Sequence, residues 1–155
     1  GPEEVGELFS TSPYLFNGYW NRPEETDEAI QSGWLTVGDL AKKDEDGYLY
    51  IVDRKKDMVI SGGINIYPRE IEEVIYDHPD ITDVAVVGIA DEKWGESLKA
   101  FVVTKNKKPL KQEDLEKFCK GKISKIKIPK IISHIDSIPR NANGKVLKTE
   151  LRKIS

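Results

Sequence analysis

The stretch PRNANGKVLK, Pro139 to Lys148, sets a lysine directly after an Asn-Gly pair. Pro139 and Asn143-Gly144 ask for a tight, exposed turn, since Asn and Gly tolerate positive φ and Pro fixes its own. Lys145 would then stand on a mobile rim as a point charge on a long stem. Such a cation suits negative charge developing on a phosphate or carboxylate, which a flexible arm can meet and leave. Judged in isolation, it reads first as one more solvated lysine of a basic tail. The segment is not a phosphate-cradling loop, because the GxxxxGK[ST] spacing is missing.

Three other places could do chemistry. Ser61-Gly62-Gly63 would let backbone approach a ligand closely, or form a plain turn, since glycine has no Cβ and accepts positive φ. Trp94 stands in an otherwise polar loop, DEKWGES, where an indole either caps the edge of a core or packs on a ligand. Asp39 in GDL could accept two hydrogen bonds from a vicinal diol such as a ribose, and Arg54 in DRKKD could donate to the same sugar. Taken singly, each of these charges also reads as a turn or surface group.

The elements that would carry these residues follow from periodicity. EEVGELFSTS begins with a strand that has nothing upstream to pair with, and Gly1-Pro2 resembles a tag remnant, so the chain reads as an excised piece. Two strands, Leu35–Lys42 and Tyr48–Val52, flank the turn DEDG as a hairpin. RKKD follows as a charged run where a hinge would be placed. Beyond it come a short strand Met58–Ser61, a helix opened by Pro68 with Ile71, Val74 and Ile75 on one face, and a buried strand Ile81–Ala90. A strand Leu98–Thr104, a helix Gln112–Ile123, a strand in KIISHID and a last helix Thr149–Ile154 complete an α+β unit of about 100 residues.

The totals narrow the function. The 155 residues suffice for one domain plus part of another. No apolar run is long enough to cross a bilayer and no basic-then-apolar leader opens the chain, so a cytoplasmic location is the expectation. One cysteine, Cys119, cannot form an internal disulfide, and His78 and His134 lack ligand-like spacing, so no protein-built metal site is expected. The net charge of −3 divides unevenly: residues 1–104 carry 9 Lys/Arg against 22 Asp/Glu, residues 105–155 carry 15 against 5. A basic last third could serve nucleic acid, a phosphate-bearing ligand or solvent. A nucleic-acid module would want aromatic stacking among its lysines, and Phe118 is the only aromatic after residue 104.

In order and spacing, GYWNRPEET, GWLTVGDL, DGYLYIVDRKKDMVISGGINIYPREIEEVI, DEKWGES and PRNANGK resemble motifs of the adenylate-forming superfamily. Its members include acyl-CoA synthetases, peptide-synthetase adenylation domains and firefly-type luciferases. The resemblance implies a small C-terminal domain, residues 55–155, with a central mixed three-stranded sheet flanked by helices. Residues 1–54 would be the terminal β-rich segment of a large N-terminal domain. It further implies an acid-thiol ligase that makes acyl-AMP and then acyl-CoA, using ATP, Mg and coenzyme A bound mainly with the large domain. Asp39 and Arg54 would hold the ribose, Lys56 would be the hinge, and Lys145 would contact the carboxylate and α-phosphate during adenylation. Gly62, Gly63 and Trp94 would line the passage for the coenzyme A thiol, and Lys127 and Lys130 would meet its phosphates. Two positions depart from the pattern: Val37 replaces a threonine, and Ile64 stands where glutamate is frequent. The phosphate loop and acid pocket are not in this stretch, so the chain alone is expected to be inactive. Within the family, the alternative is an adenylation domain that loads a carrier protein.

Overall fold

The computed structural model describes residues 3–155; Gly1-Pro2, read above as a tag remnant, lies outside them. The chain forms two compact units that divide between Lys56 and Asp57.

The first unit is a four-stranded sheet built on β3 (Trp34–Lys43). On one side of β3 runs β1 (Val5–Ser10), antiparallel from Val5↔Lys42 to Ser10↔Leu35. The first strand, expected to have nothing upstream to pair with, therefore finds its partner downstream. Along the other side lie β2 (Ile30–Gln31) and β4 (Leu49–Arg54). Asp44 closes the β3–β4 hairpin: its Oδ1 accepts the Tyr48 N–H at 2.8 Å and its Oδ2 the Tyr50 hydroxyl at 2.9 Å. A short helix, α1 (Pro23–Ala29), precedes β2. It escapes a reading by periodicity because Ala29 is its only buried residue.

The second unit is a five-stranded sheet with helices on both faces. β5 (Val59–Ser61) and β6 (Ile64–Ile66) make a hairpin across Gly62-Gly63. α2 (Pro68–Tyr76) leads to the long antiparallel pair β7 (Ile81–Asp91) and β8 (Gly95–Thr104). α3 (Gln112–Cys119) precedes β9 (Ile131–His134), which runs parallel to β8, and α4 (Lys148–Lys153) ends the chain. The mixed trio β7, β8 and β9 is as expected. The hairpin β5–β6 widens the sheet to five, because Ser61 pairs with Gly95 at the start of β8. β6 was not expected from a three-residue stretch with two exposed side chains. α3 stops at Cys119, four residues short of the expected end, where Lys120 turns extended and Gly121 takes φ +82°.

β7 and β8 read as near-continuous apolar runs because both of their faces are covered. On one face, Val84, Val86, Leu98, Ala100 and Val102 pack with Ile71 and Ile75 of α2 and Leu115 and Cys119 of α3. Each such aliphatic side chain, fully buried, contributes about 1.5–3 kcal/mol. On the other face Ala85, Val87 and Phe101 meet Ile138 and Leu151, which anchors the segment around Lys145. Burial also holds the Cys119 thiol above its usual pKa, consistent with an inert packing group.

Candidate functional site

Lys145 sits on a turn closed by its own backbone and by Asn141. The Asn141 N–H donates to the Lys145 carbonyl at 2.9 Å, and Gly144 N–H to the Asn141 carbonyl at 2.9 Å. Asn141 Oδ1 accepts from the N–H groups of both Asn143 (3.0 Å) and Lys145 (2.9 Å). Leu147 N–H donates to the Pro139 carbonyl at 2.8 Å, and Arg140 bridges to Val146. The expected turn is thus closed by hydrogen bonds and carries an exposed lysine at its end. An Asx turn explains it, since one side-chain oxygen replaces two backbone acceptors.

Around this turn the basic residues sort into two kinds. Arg140 reaches Asp83 at 2.9 Å, Lys148 reaches Glu72 at 2.8 Å, Arg152 reaches Asp57 at 3.2 Å and Lys153 reaches Glu150 at 2.8 Å. Of the five cations between Pro139 and Ser155, Lys145 alone has no carboxylate partner among the described residues.

At another place on the same unit, the glycine hairpin rests on Trp94. Gly62 has φ +58° and Gly63 φ +80°, both in the left-handed region. The Gly62 N–H donates to the Trp94 carbonyl at 2.9 Å, and a Cβ on Gly62 would lie 2.7 Å from Trp94 Cε3. A Cβ on Gly63 would meet nothing within 4 Å. Glu96 ties the hairpin to β8, its Oε2 accepting the Ile60 N–H at 2.8 Å. Trp94 is 42% exposed, with the ammonium groups of Lys93 and Lys130 at 4.9 and 5.9 Å from its ring centre. A groove of about 1120 Å³ opens beside it, lined by Ser97, Ile123, Ile126, Ile128 and Lys130 among others. Lys127 is not part of that groove; it holds both Glu70 oxygens at 2.8 Å. Lys130 pairs with Asp91 at 2.9 Å.

Asp91 organises the Trp94 loop. Its Oδ1 accepts the N–H groups of Lys93 and Trp94, both at 3.0 Å. The Lys130 ammonium first, and those two N–H donors after it, hold the carboxyl down to about 2. A folded pKa below the unfolded value of about 3.9 contributes stability above that value and loses it as pH falls towards the folded one. The Trp94 indole resonance is therefore expected to keep its native shift at pH 4 and to lose it towards pH 2, followed by NMR. Complete loss already at pH 4 would refute the role given to Asp91.

In the first unit, β4 carries one extra residue, Val52, where the register shifts opposite Leu40 and Ala41, and beyond this bulge Asp39 faces Arg54. Arg54 Nε lies 3.4 Å from Asp39 Oδ1, close enough for an ion pair, yet that buried nitrogen completes no hydrogen bond. Arg54 also donates to the Val37 carbonyl at 3.1 Å. Asp39 is about a third exposed, so its carboxylate can still accept a diol. Lys56 lies in a 3-10 turn, Lys55–Asp57, that spans the division between the units. Among the described residues no group of three or more His, Cys, Asp and Glu side chains is placed to hold a metal. No helix among them is long and apolar enough to cross a membrane.

Residues 70–145 match the AMP-binding enzyme C-terminal domain family. The chain is 46% identical over 153 residues to a 2-succinylbenzoate–CoA ligase of Bacillus mycoides, covering 99% of this chain and 31% of that protein. It is 46% identical over 151 residues to a long-chain-fatty-acid–CoA ligase of Escherichia coli O157:H7, covering 97% of this chain and 27% of that one. This chain belongs to the adenylate-forming superfamily. Its fold agrees with o-succinylbenzoate CoA synthetase of Bacillus subtilis in complex with its acyl-adenylate intermediate, at TM-score 0.90 and 39% identity over 98% of this chain and 31% of that one. ATP-bound MatB from Rhodopseudomonas palustris gives TM-score 0.89 at 36% identity, covering 99% and 31%. The chain thus spans about a third of the length of the relatives it matches.

For a chain of this superfamily, the two departures from the motif pattern have visible settings. Val37 and Ile64 are both about half exposed. The neighbouring Thr36 hydroxyl accepts the Gly38 N–H at 3.0 Å and donates to Glu7 at 2.8 Å, so a threonine oxygen still orders the Gly-Asp turn. What a reading of the sequence missed is the set of carboxylates behind the motifs: Asp83, Glu72, Asp57 and Glu96. No local pattern marks them, since each acts on a partner far along the chain.

Proposed function

We propose that the chain is the C-terminal portion of an AMP-forming carboxylate–CoA ligase, acting in the cytoplasm where ATP and coenzyme A are supplied. The observation that carries this reading is Lys145, an exposed cation without a carboxylate among the described residues, held at the end of a hydrogen-bonded turn whose neighbouring cations are all paired. In adenylation its ammonium would offset charge gathering between the acid's carboxylate and the α-phosphate of ATP. A preorganised charge acts there without further reorganisation. Asp39 would accept the ribose diol, with Arg54 beside it, and Mg would be bound with the large domain.

Thioester formation makes the opposite demand, because the cation must leave and a thiol must enter. A turn at Lys56 would let one rigid unit present either face. The open side of Gly63 and the Trp94 indole then line the thiol's passage. Lys130, at the rim of the groove, would meet coenzyme A phosphates by exchanging Asp91 for them, and Lys127 by exchanging Glu70. At least eight of the fifteen basic residues after position 104 are already paired with carboxylates, which supports a specific anion site over a nucleic-acid face.

The test is pyrophosphate release by the full-length enzyme across fatty, aromatic and amino acids, followed by product analysis with coenzyme A. One acid class should release pyrophosphate with ATP and yield acyl-CoA and AMP. Loading of a phosphopantetheinyl carrier protein but not coenzyme A would assign the chain to an adenylation domain instead. No ATP-dependent pyrophosphate release with any acid would overturn the reading.

A further inference from the structure

Both ends of the Lys145 turn are tied to the open edge of the sheet. β7 forms that edge, since β8 flanks it on one side only and β8 takes β9 and β5 on its other side. The first tie precedes the lysine. One Arg140 nitrogen reaches both oxygens of Asp83 on β7 at 2.9 Å, while the other donates to the Gly144 carbonyl at 3.0 Å. Asp83 thereby orients a guanidinium that grips the peptide unit directly before Lys145. A planar, rigid fork suits this, because fixing one nitrogen aims the other.

The second tie follows the lysine. Lys148, first residue of α4, puts its ammonium 2.8 Å from Glu72 Oε1 on α2, with side chains only 10% and 21% exposed. The same oxygen accepts the Val86 N–H of β7 at 2.7 Å. Glu72 thus satisfies an edge-strand donor that has no strand partner and fixes the start of α4 with one carboxylate oxygen. A pair of this kind is weak evidence for stability, and fixing register is the role its geometry offers here.

We propose that Asp83 and Glu72 are positioning residues for adenylation: acting through Arg140 and Lys148, they fix both ends of the turn that presents Lys145. The inference rests on the role given to Lys145 above. Neither carboxylate meets substrate; each sets where the lysine's stem begins. Displacing a reacting group by about 1 Å can cost as much as 10²-fold. The thioester half-reaction, which uses the glycine hairpin and Trp94, does not depend on this turn.

The experiment compares Asp83→Asn, Glu72→Gln, Lys148→Arg and Lys145→Ala in the full-length enzyme. Pyrophosphate release is measured in single turnover with palmitate or 2-succinylbenzoate, whichever the unmodified enzyme uses. Thioester formation is measured from the matching acyl-adenylate and coenzyme A, and melting temperature alongside. Asp83→Asn and Glu72→Gln are expected to slow adenylation by about 10-fold or more while thioester formation stays within about 2-fold. Lys148→Arg, which keeps the ion pair, should stay near the unmodified rate. Equal loss in both half-reactions, or no loss in either, would overturn the proposal. If Lys145→Ala alone leaves adenylation intact, the role of Lys145 falls instead. Asp83 is partly exposed, so its variant is expected to fold even if Glu72→Gln does not, and it then carries the test.

Discussion

Lys145→Ala in the full-length enzyme should slow adenylation by about 10²–10³ while leaving thioester formation from supplied acyl-adenylate nearly unchanged. The magnitude is that of one preorganised charge in a water-poor site, about 2.7–4 kcal/mol of transition-state stabilisation. The selectivity has a structural origin. Lys145 is exposed, and its hydrogen bonds to Asn141 are made by its backbone, so truncating the side chain removes no packing from the turn. The core beneath, Leu151 and Ile138 against Phe101, is untouched. Melting temperature should therefore stay put while pyrophosphate release collapses. A variant that loses both half-reactions equally would show that Lys145 serves the fold or general binding, and the reading would fail.

Gly62→Ala should produce the opposite split. The residue holds φ +58°, where an L side chain costs roughly 1–2 kcal/mol. The added Cβ would stand 2.7 Å from Cε3 and 3.1 Å from Cζ3 of Trp94. The Trp94 backbone is held, its carbonyl accepting the Gly62 N–H and its own N–H donating to Asp91, so either the indole rotates or the hairpin tip shifts. Either movement alters the surface proposed for the thiol. Thioester formation should fall by on the order of 10², with adenylation within a few-fold. Gly63→Ala is the internal control. It carries similar backbone strain at φ +80° but meets nothing within 4 Å, so its effect should be smaller. Equal effects at the two glycines would show that strain, and not the Trp94 contact, matters here.

Much of the fold is legible in the sequence where a segment announces itself within a few residues. Pro68 and the Ile71, Val74, Ile75 spacing mark α2, and DEDG marks the β3–β4 hairpin. ITDVAVVGIA marks a strand covered on both faces. The segments that stay silent lack such local chemistry. β6 has three residues and exists because β5 is beside it; β1 reads as a strand, but its partner is known only from the strand that follows it. α3 looks four residues longer than it is, because its apolar spacing continues past the point where Gly121 turns the chain.

The candidate site divides in the same way. Sequence by itself determined which residues can do chemistry: a lysine after Asn-Gly, two adjacent glycines able to take positive φ, an indole in a polar loop, and the motif order that marks the superfamily. Those properties belong to single residues and short turns. Tertiary structure alone decided which charges are spent. Arg140 finds Asp83 across 57 positions and Arg152 finds Asp57 across 95, while Lys145, between them, finds no carboxylate among the described residues. A bulge at Val52 in β4 decided that Asp39 and Arg54 should face each other, and Asn141 how the lysine's turn should close. The physical reason is range. Backbone preference acts over a few neighbours, whereas an ion pair forms only after strand register and helix packing have brought its two ends together.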